Sequence, residues 1–219
     1  MPKIGILIDG RRIEAEEGER VLEVALRHGI FIPNLCYRPG AEEPFAGCRL
    51  CWVEVEGKSR PATSCTEVVR DGMVVRTDTE PVRRLQRSAL RLLLSAHHID
   101  CRNCYANKRC ALQQLAKQLD VKLKIRGLRD LSGREPLDGT LGSILYDKNR
   151  CVLCARCTAC SKEQDLGVFH LAKRGLQMRV AVFPGKGDSE SLEGCRKQCP
   201  VGALIPADAE LHIGSLKAD

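Results

Sequence analysis

Residues 32–51 read IPNLCYRPGAEEPFAGCRLC. Three cysteines, Cys36, Cys48 and Cys51, share this stretch with Pro33, Pro39, Gly40, Pro44 and Gly47. Proline and glycine at that density predict a long loop rather than a helix or strand. The flanks say what the loop is built into. Upstream, KIGILID and RIEAEE alternate around Asp9-Gly10, the sequence of a two-residue hairpin turn. ERVLEVALRHG then places Val21, Leu22, Ala25 and Leu26 at helical spacing and ends on Gly29, a helix-stop signal. Downstream, WVEVE alternates as a strand, and TEVV and MVVRT around Asp71-Gly72 predict a second hairpin. Residues 1–78 therefore read as strands packed on one helix, with the cysteine loop between helix and strand.

The rest of the chain is more helical. Thr79 is a candidate N-cap, followed by Glu80-Pro81 and a helix whose apolar face is expected to hold Leu85, Ala89, Leu92, Leu93 and Ala96. RCALQQLAKQLD predicts a further helix, completing a region at 79–125. Residues 126–143, RGLRDLSGREPLDGTLGS, read as a polar linker. Residues 144–219 hold CVLCARCTAC, the strand-like MRVAVF, GCRKQCPVGALIP and a weakly patterned tail from 207. The fold class expected is α+β.

Aromatic residues make up only 4% of the 219, with Trp52 the single tryptophan, so large side chains to fill a core are few. Thirteen cysteines cannot all pair in disulfides. The N-terminus lacks the apolar run and small-residue cleavage site of a signal peptide, and no stretch approaches a membrane span. A cytoplasmic protein is expected, in which cysteine clusters hold metal. The formal charge of +7 invites a nucleic-acid reading. Many basic residues, however, stand beside cysteines: Arg49, Arg102, Lys108, Arg109, Lys148, Arg150, Arg156, Arg196 and Lys197. A metal-bound cysteine is a thiolate, so metal sites at the cysteines would offset this charge and remove the main support for a nucleic-acid partner.

The cysteines fall into three sets. Cys36, Cys48, Cys51 and Cys65 are spaced x11, x2, x13. Four thiolates suit a two-iron cluster, and the order strand, strand, helix, loop, strand suits a β-grasp ferredoxin domain. Gly40 and Gly47 would let backbone N–H groups approach sulfur. A zinc site is the alternative for the same four residues. In HHIDCRNCYANKRC, residues 97–110, Cys101, Cys104 and Cys110 lack a fourth partner. His97 lies about one helical turn before Cys101, and His98, about 100° round the helix, is its rival. A four-iron cluster or a zinc ion could take three thiolates and an imidazole. Cys151, Cys154 and Cys157 with Cys199-Pro200 reproduce the C-x2-C-x2-C and C-P signature of a bacterial-ferredoxin-like four-iron cluster. Cys160 and Cys195 are left unassigned, and structural thiols are their simplest reading.

GILIDG, VLEVALRHGIFIPNLCYRPG and GCRLCWVEVEG resemble the N-terminal region of the iron–sulfur large subunit of respiratory complex I. They are also similar to the N-terminal module of multi-cluster [FeFe] hydrogenases. HHIDCRNCYANKRC resembles that family's histidine-ligated site, which implies His97 as the ligand, and CVLCARC with QCPVGAL resembles the site that follows it. The resemblance spans about residues 3–206. With neither a molybdopterin-enzyme-like region nor a hydrogenase catalytic domain before Asp219, the chain most resembles the small diaphorase subunit of soluble NAD-reducing [NiFe] hydrogenases.

That resemblance implies one [2Fe-2S] and two [4Fe-4S] clusters and an electron-transfer role within a hydrogen:NAD oxidoreductase. The implied partners are an NAD- and flavin-binding diaphorase subunit and the small and large subunits of a [NiFe] hydrogenase. An equivalent subunit of a formate dehydrogenase or a complex I-like assembly would share these motifs. No substrate-turnover site is expected on the chain itself, since no G-x-G-x-x-G follows a strand. His28, His170 and His212 are expected to be structural or exposed. A zinc-based nucleic-acid module and a stand-alone iron–sulfur sensor are the readings from other classes.

Overall fold

The computed structural model describes residues 2–185 and 188–209; His212 and most of the tail lie outside them. The chain divides into two compact units, Met1–Leu90 and Arg91–Asp219, each with its own interior.

The first unit is a mixed sheet holding one short helix. β1 (Lys3–Ile8) and β2 (Arg11–Glu16) pair antiparallel, Ile6 opposite Ile13 and Ile8 opposite Arg11. Their link, Asp9-Gly10, has positive φ at both residues (49° and 78°), the twist that a two-residue hairpin needs. α1 (Val21–Arg27) follows. Its Val21, Leu22, Val24 and Ala25 are fully enclosed, at 0% exposure. Each large side chain so buried stabilises by roughly 1.5–3 kcal/mol. Gly29, at φ 71°, ends the helix as its stop signal implied. After the cysteine loop come β3 (Trp52–Val55), β4 (Ala62–Thr63) and β5 (Val74–Arg76). The strand order is β2-β1-β5-β3-β4, with β5 parallel to β1 and antiparallel to β3. Ile6, Ile8, Val53, Val55 and Val75 form the sheet's buried face against α1.

The second hairpin does not form. Residues 73–76 instead enter the middle of the sheet, where Val75 is fully buried. TEVV turns away: Val68 bridges Arg20, and the Val69 N–H donates to the Glu19 carbonyl at 2.9 Å. A two-stranded hairpin is marginal by itself, and the central sheet position buries more of Val75 than a local hairpin would.

α2 (Glu80–Ser95) starts as its sequence implied, with Thr79 Oγ1 accepting from the Val82 N–H at 3.4 Å. Its buried stripe is Val82, Gln86, Ala89, Leu90 and Leu94, while Leu92 is 62% exposed and Ala96 is exposed, so the apolar face is turned from the one expected. The polar Gln86 belongs to the buried face because its amide donates to the Trp52 carbonyl at 3.1 Å.

The second unit contains α3 (Ala111–Gln118), β6 (Ile144–Tyr146), α4 (Arg156–Glu163), β7 (Phe169–Ala172), β8 (Arg179–Val182), α5 (Ser189–Lys197) and β9 (Leu204–Pro206). β6 pairs antiparallel with β9, and β7 with β8. Phe169, Val180, Leu192 and Leu204 fill the interior beside α4 and α5. Ser161 fixes α4 to β7 by accepting from the Val168 and Phe169 N–H groups at 3.0 and 3.2 Å. Residues 126–143 carry neither helix nor strand, yet Asp138 exchanges two backbone hydrogen bonds with Tyr146, at 2.9 and 2.8 Å.

Candidate metal centres

None of the thirteen cysteines is in a disulfide. In the first unit the loop after α1 carries Cys36, Cys48 and Cys51, and Cys65 follows β4; none exceeds 6% exposure. Leu35 and Leu50, at 2% and 0%, plug the loop into the interior on either side of the thiols. Cys36 and Cys48 have their sulfurs 3.4 Å apart. The Gly47 and Cys48 N–H groups bond to Cys36, and those of Leu50, Cys36 and Leu35 bond to Cys48. Ala46 and Arg49 hold left-handed backbone at φ 52° and 55°, at a cost of roughly 1–2 kcal/mol each. A Cβ at Gly47 would meet the exposed Phe45 ring at 2.3 Å, so that ring would have to turn aside. Gly40 has open space around it, and its φ of 73° is what calls for glycine.

These thiols crowd one another. The Cys36 thiol donates to Cys48 and holds it down at about 6, while Cys36 itself is raised. The Cys65 thiol likewise lowers Cys51 and is raised in turn. Four thiols so close cannot all ionise unless a cation joins them. The Ser64 hydroxyl, fully buried beside Cys65, is directed at the Cys51 sulfur and helps to lower that thiol. With the loop N–H groups on Cys36 and Cys48, this hydroxyl makes the donor set fit a sulfur-rich anionic cluster.

In the second unit, a small hollow, partly open to solvent, is lined by His97, His98, Cys101, Cys104, Cys110 and Gln113 among others. His97 ends the segment after α2 and is 8% exposed, while His98 is exposed. The His97 Nδ1–H donates to the Arg150 carbonyl at 2.9 Å, and since a carbonyl only accepts, Nε2 keeps the lone pair. Burial pushes the imidazole below its usual range, which keeps it neutral and able to ligate. Burial pushes Cys110 up, opposed by N–H bonds from Gln113 and Leu112. Gly202 closes against this set: a Cβ on it would lie 2.5 Å from Cys104 Sγ. Lys108, at φ 67°, bends the loop between Cys104 and Cys110.

The third set straddles the start of α4. Leu153 and Ala155 adopt left-handed backbone at φ 52° and 59°, which brings Cys151, Cys154 and Cys157 round one point. Cys199 follows α5, and its charge acts on all three. Burial raises each of them, Cys154 to about 12. The Tyr146 hydroxyl bonds to Cys151, and burial raises the phenol. Arg156 Nε, next to Cys157, is buried with no hydrogen-bond partner, as a donor awaiting an anion would be. Cys160 and Cys195 are enclosed in α4 and α5, at 4% and 0%. Cys160 accepts from the Gln164 amide at 3.4 Å.

Among the described residues, no group of three His, Cys, Asp or Glu side chains closes to the spacing of a single bound ion. The basic residues beside the cysteines are mostly occupied. Lys148 pairs with Glu135, Arg150 with Asp147 and Arg196 with Glu193. Arg49 and Arg109 lie over the Trp52 and Tyr105 rings at 4.7 and 4.1 Å. His28 and His170 are exposed. Tyr146, Ser64, Gly202 and the Arg150 carbonyl were missed by sequence reasoning. Only Gly202, three residues after a set-forming cysteine, offered a signal.

Residues 2–80 match the 2Fe-2S iron-sulfur cluster binding domain, and residues 86–123 match the NADH-ubiquinone oxidoreductase-G iron-sulfur binding region. The chain carries the two iron–sulfur regions in series. The third set lies outside both matches. The NADP-reducing hydrogenase subunit HndD of Solidesulfovibrio fructosivorans is 34% identical over 94% of this iron–sulfur chain and 36% of its own length. An NADH-quinone oxidoreductase subunit of Streptomyces coelicolor is 37% identical over 93% of the chain and 24% of its own length. The chain thus spans between about a quarter and a third of these curated relatives. A chain in the crystal structure of an NAD+-reducing [NiFe]-hydrogenase in the H2-reduced state superposes with TM-score 0.84 at 25% identity, over 99% of this chain and 90% of that one. No helix among the described residues is long and apolar enough to cross a membrane.

Proposed function

We propose that this chain is a three-site electron relay. Cys36, Cys48, Cys51 and Cys65 hold a [2Fe-2S] cluster; His97, Cys101, Cys104 and Cys110 hold a [4Fe-4S] cluster; Cys151, Cys154, Cys157 and Cys199 hold another. The relay works between a [NiFe] hydrogenase module and an NAD-reducing flavoprotein. The observation that carries the reading is the second set: a buried neutral imidazole and three thiols line one hollow. The match in fold and extent to a chain of an NAD+-reducing hydrogenase supports the choice of complex.

When bound, such clusters accept and release single electrons with little change of shape. The protein's own part is to bind, shield and tune. Leu35 and Leu50 keep water from the first set, and N–H groups of the loop bond to its sulfurs, which favours the more reduced state. In the second set an imidazole replaces one thiolate and removes one negative charge, which raises the potential of that site.

Anaerobically purified protein is expected to hold about ten irons, the sum of one two-iron and two four-iron sites. His97→Cys is expected to lower the potential of the second site in redox-poised EPR. An unchanged potential and spectrum would remove His97 from the ligand set, and stoichiometric zinc without a brown chromophore would remove the whole reading. The higher identity to the quinone-reductase relative favours one further reading, a relay in a complex I-like assembly. Co-purification under gentle conditions separates the two: hydrogenase subunits in one case, quinone-reductase subunits in the other.

A further inference from the structure

Two histidines stand at the hollow of the second set, and a short turn distinguishes them. Residues 148–150 form one 3₁₀ turn just ahead of the third set. Asp147 caps it, its carboxylate accepting from the Asn149 N–H at 3.0 Å. The Asp147 N–H donates to the Ala203 carbonyl at 2.8 Å. Its carboxylate also lies 3.4 Å from Arg150 Nε, an ion pair without hydrogen-bond alignment and almost closed to solvent. The Asn149 side chain clamps Glu135, accepting from its N–H at 2.9 Å and donating to its carbonyl at 2.7 Å. The turn is therefore fixed from both sides. Its carbonyls meet the histidines differently. That of Arg150 accepts the His97 ring Nδ1–H at 2.9 Å, whereas that of Asn149 accepts the backbone N–H of His98 at 2.7 Å.

We propose that the Asp147–Arg150 turn is the positioning element that selects His97 over His98 as nitrogen donor and ties that donor to the third set. The proposal rests on reading His97 as an iron ligand. Nδ1–H donation to a carbonyl fixes the ring's tautomer and orientation and makes Nε2 more basic. A more basic nitrogen stabilises the oxidised metal, so this bond lowers the potential of the second site. The same carbonyl belongs to the peptide that joins Arg150 to Cys151. One hydrogen bond and one peptide therefore connect the His97 ring to the backbone of the third set.

Asn149→Ala tests this without changing charge, because it removes the clamp on Glu135 and loosens the turn. On the anaerobically purified full chain, pulsed EPR of the reduced second site should show an altered or broadened ring 14N coupling. The potential of that site should move upward, with the two-iron signal unchanged. Intact iron content with unaltered 14N coupling and potential would overturn the proposal. If Asn149→Ala loses iron, a pair of substitutions carries the test. Asp147→Asn keeps an acceptor for the Asn149 N–H and should retain the original 14N coupling, while Asp147→Ala should lose it. Equal coupling in the two would overturn the proposal. His97→Cys separates this failure from failure of the ligand assignment. If His97→Cys moves the potential and the turn variants do not, positioning is wrong; if His97→Cys also moves nothing, the assignment is wrong.

Discussion

At Gly202 there is no room for a side chain. A Cβ would sit 2.5 Å from Cys104 Sγ and 3.3 Å from the Ala106 Cβ, and the following strand β9 limits retreat. Overpacking of this kind costs roughly 1–3 kcal/mol, and here it falls on a candidate ligand. Gly202→Ala is expected to lose iron from the second site selectively, read as loss of that site's EPR signal with the two-iron signal retained. The candidate thiols were legible in sequence because x2 spacing is a local property. Gly202, Tyr146 and Ser64 were not, because what they touch is set by other elements. His97 and His98 could be separated only weakly by helical angle. The Arg150 carbonyl that distinguishes them lies 53 positions away and carries no residue-type signal.

Among the elements, the entry to α1 is joined to its exit. Glu19 accepts from both guanidinium nitrogens of Arg27, and its carboxylate also accepts from the Glu16 N–H at 2.8 Å. The Arg27 hydrogen bond holds the Glu19 carboxyl below its usual range. A carboxyl with a lower pKa folded than unfolded stabilises above the unfolded value of about 4.3, and that contribution is lost as pH falls through the folded value. Arg27 is half exposed, so the pair contributes under about 1 kcal/mol. Glu19→Gln should therefore be slightly less stable than the parent at neutral pH, and equally stable below the folded pKa, in denaturant titrations at both pH values. α5 offers a second test. Asp188 caps it by accepting from the Ser191 N–H at 2.8 Å. Asp188→Ala should lower stability in the same measurement, since the cap on the Ser191 N–H is lost. The hairpin at 3–16 and α1 were legible because turn chemistry and periodicity agree there. Residues 73–76 were not, because two valines beside Asp71-Gly72 look the same in a hairpin and in a sheet centre.

Over the whole molecule, scarce aromatics leave the interior dependent on what the cysteines hold. The first unit builds one core from aliphatic residues, and Cys51 and Cys65 lie inside that core. The second unit, among its described residues, has two-stranded sheets and short helices around its two sets. Binding that favours the folded chain stabilises it by mass action. Anaerobic removal of iron is expected to lower Tm for both units, with the greater loss in the second, read as circular dichroism melting before and after chelation. The α+β class and the strand, strand, helix, loop, strand order were legible in the sequence, since β1, β2, α1 and β3 follow their local patterns. The pinning of residues 126–143 to Tyr146 was not, because it runs through backbone groups that every residue type shares.

Every one of the three cysteine loops contains a non-glycine residue in left-handed backbone: Ala46 and Arg49, Lys108, Leu153 and Ala155. Such conformations persist only where the surroundings over-determine them. A loop bent this way has no nearby relaxed shape to fall into when the charge it encloses changes by one. Were each loop to hold the cluster proposed for it, its cage would stay still while the electron count changed, and separation between stations, rather than motion of the polypeptide, would govern the rate.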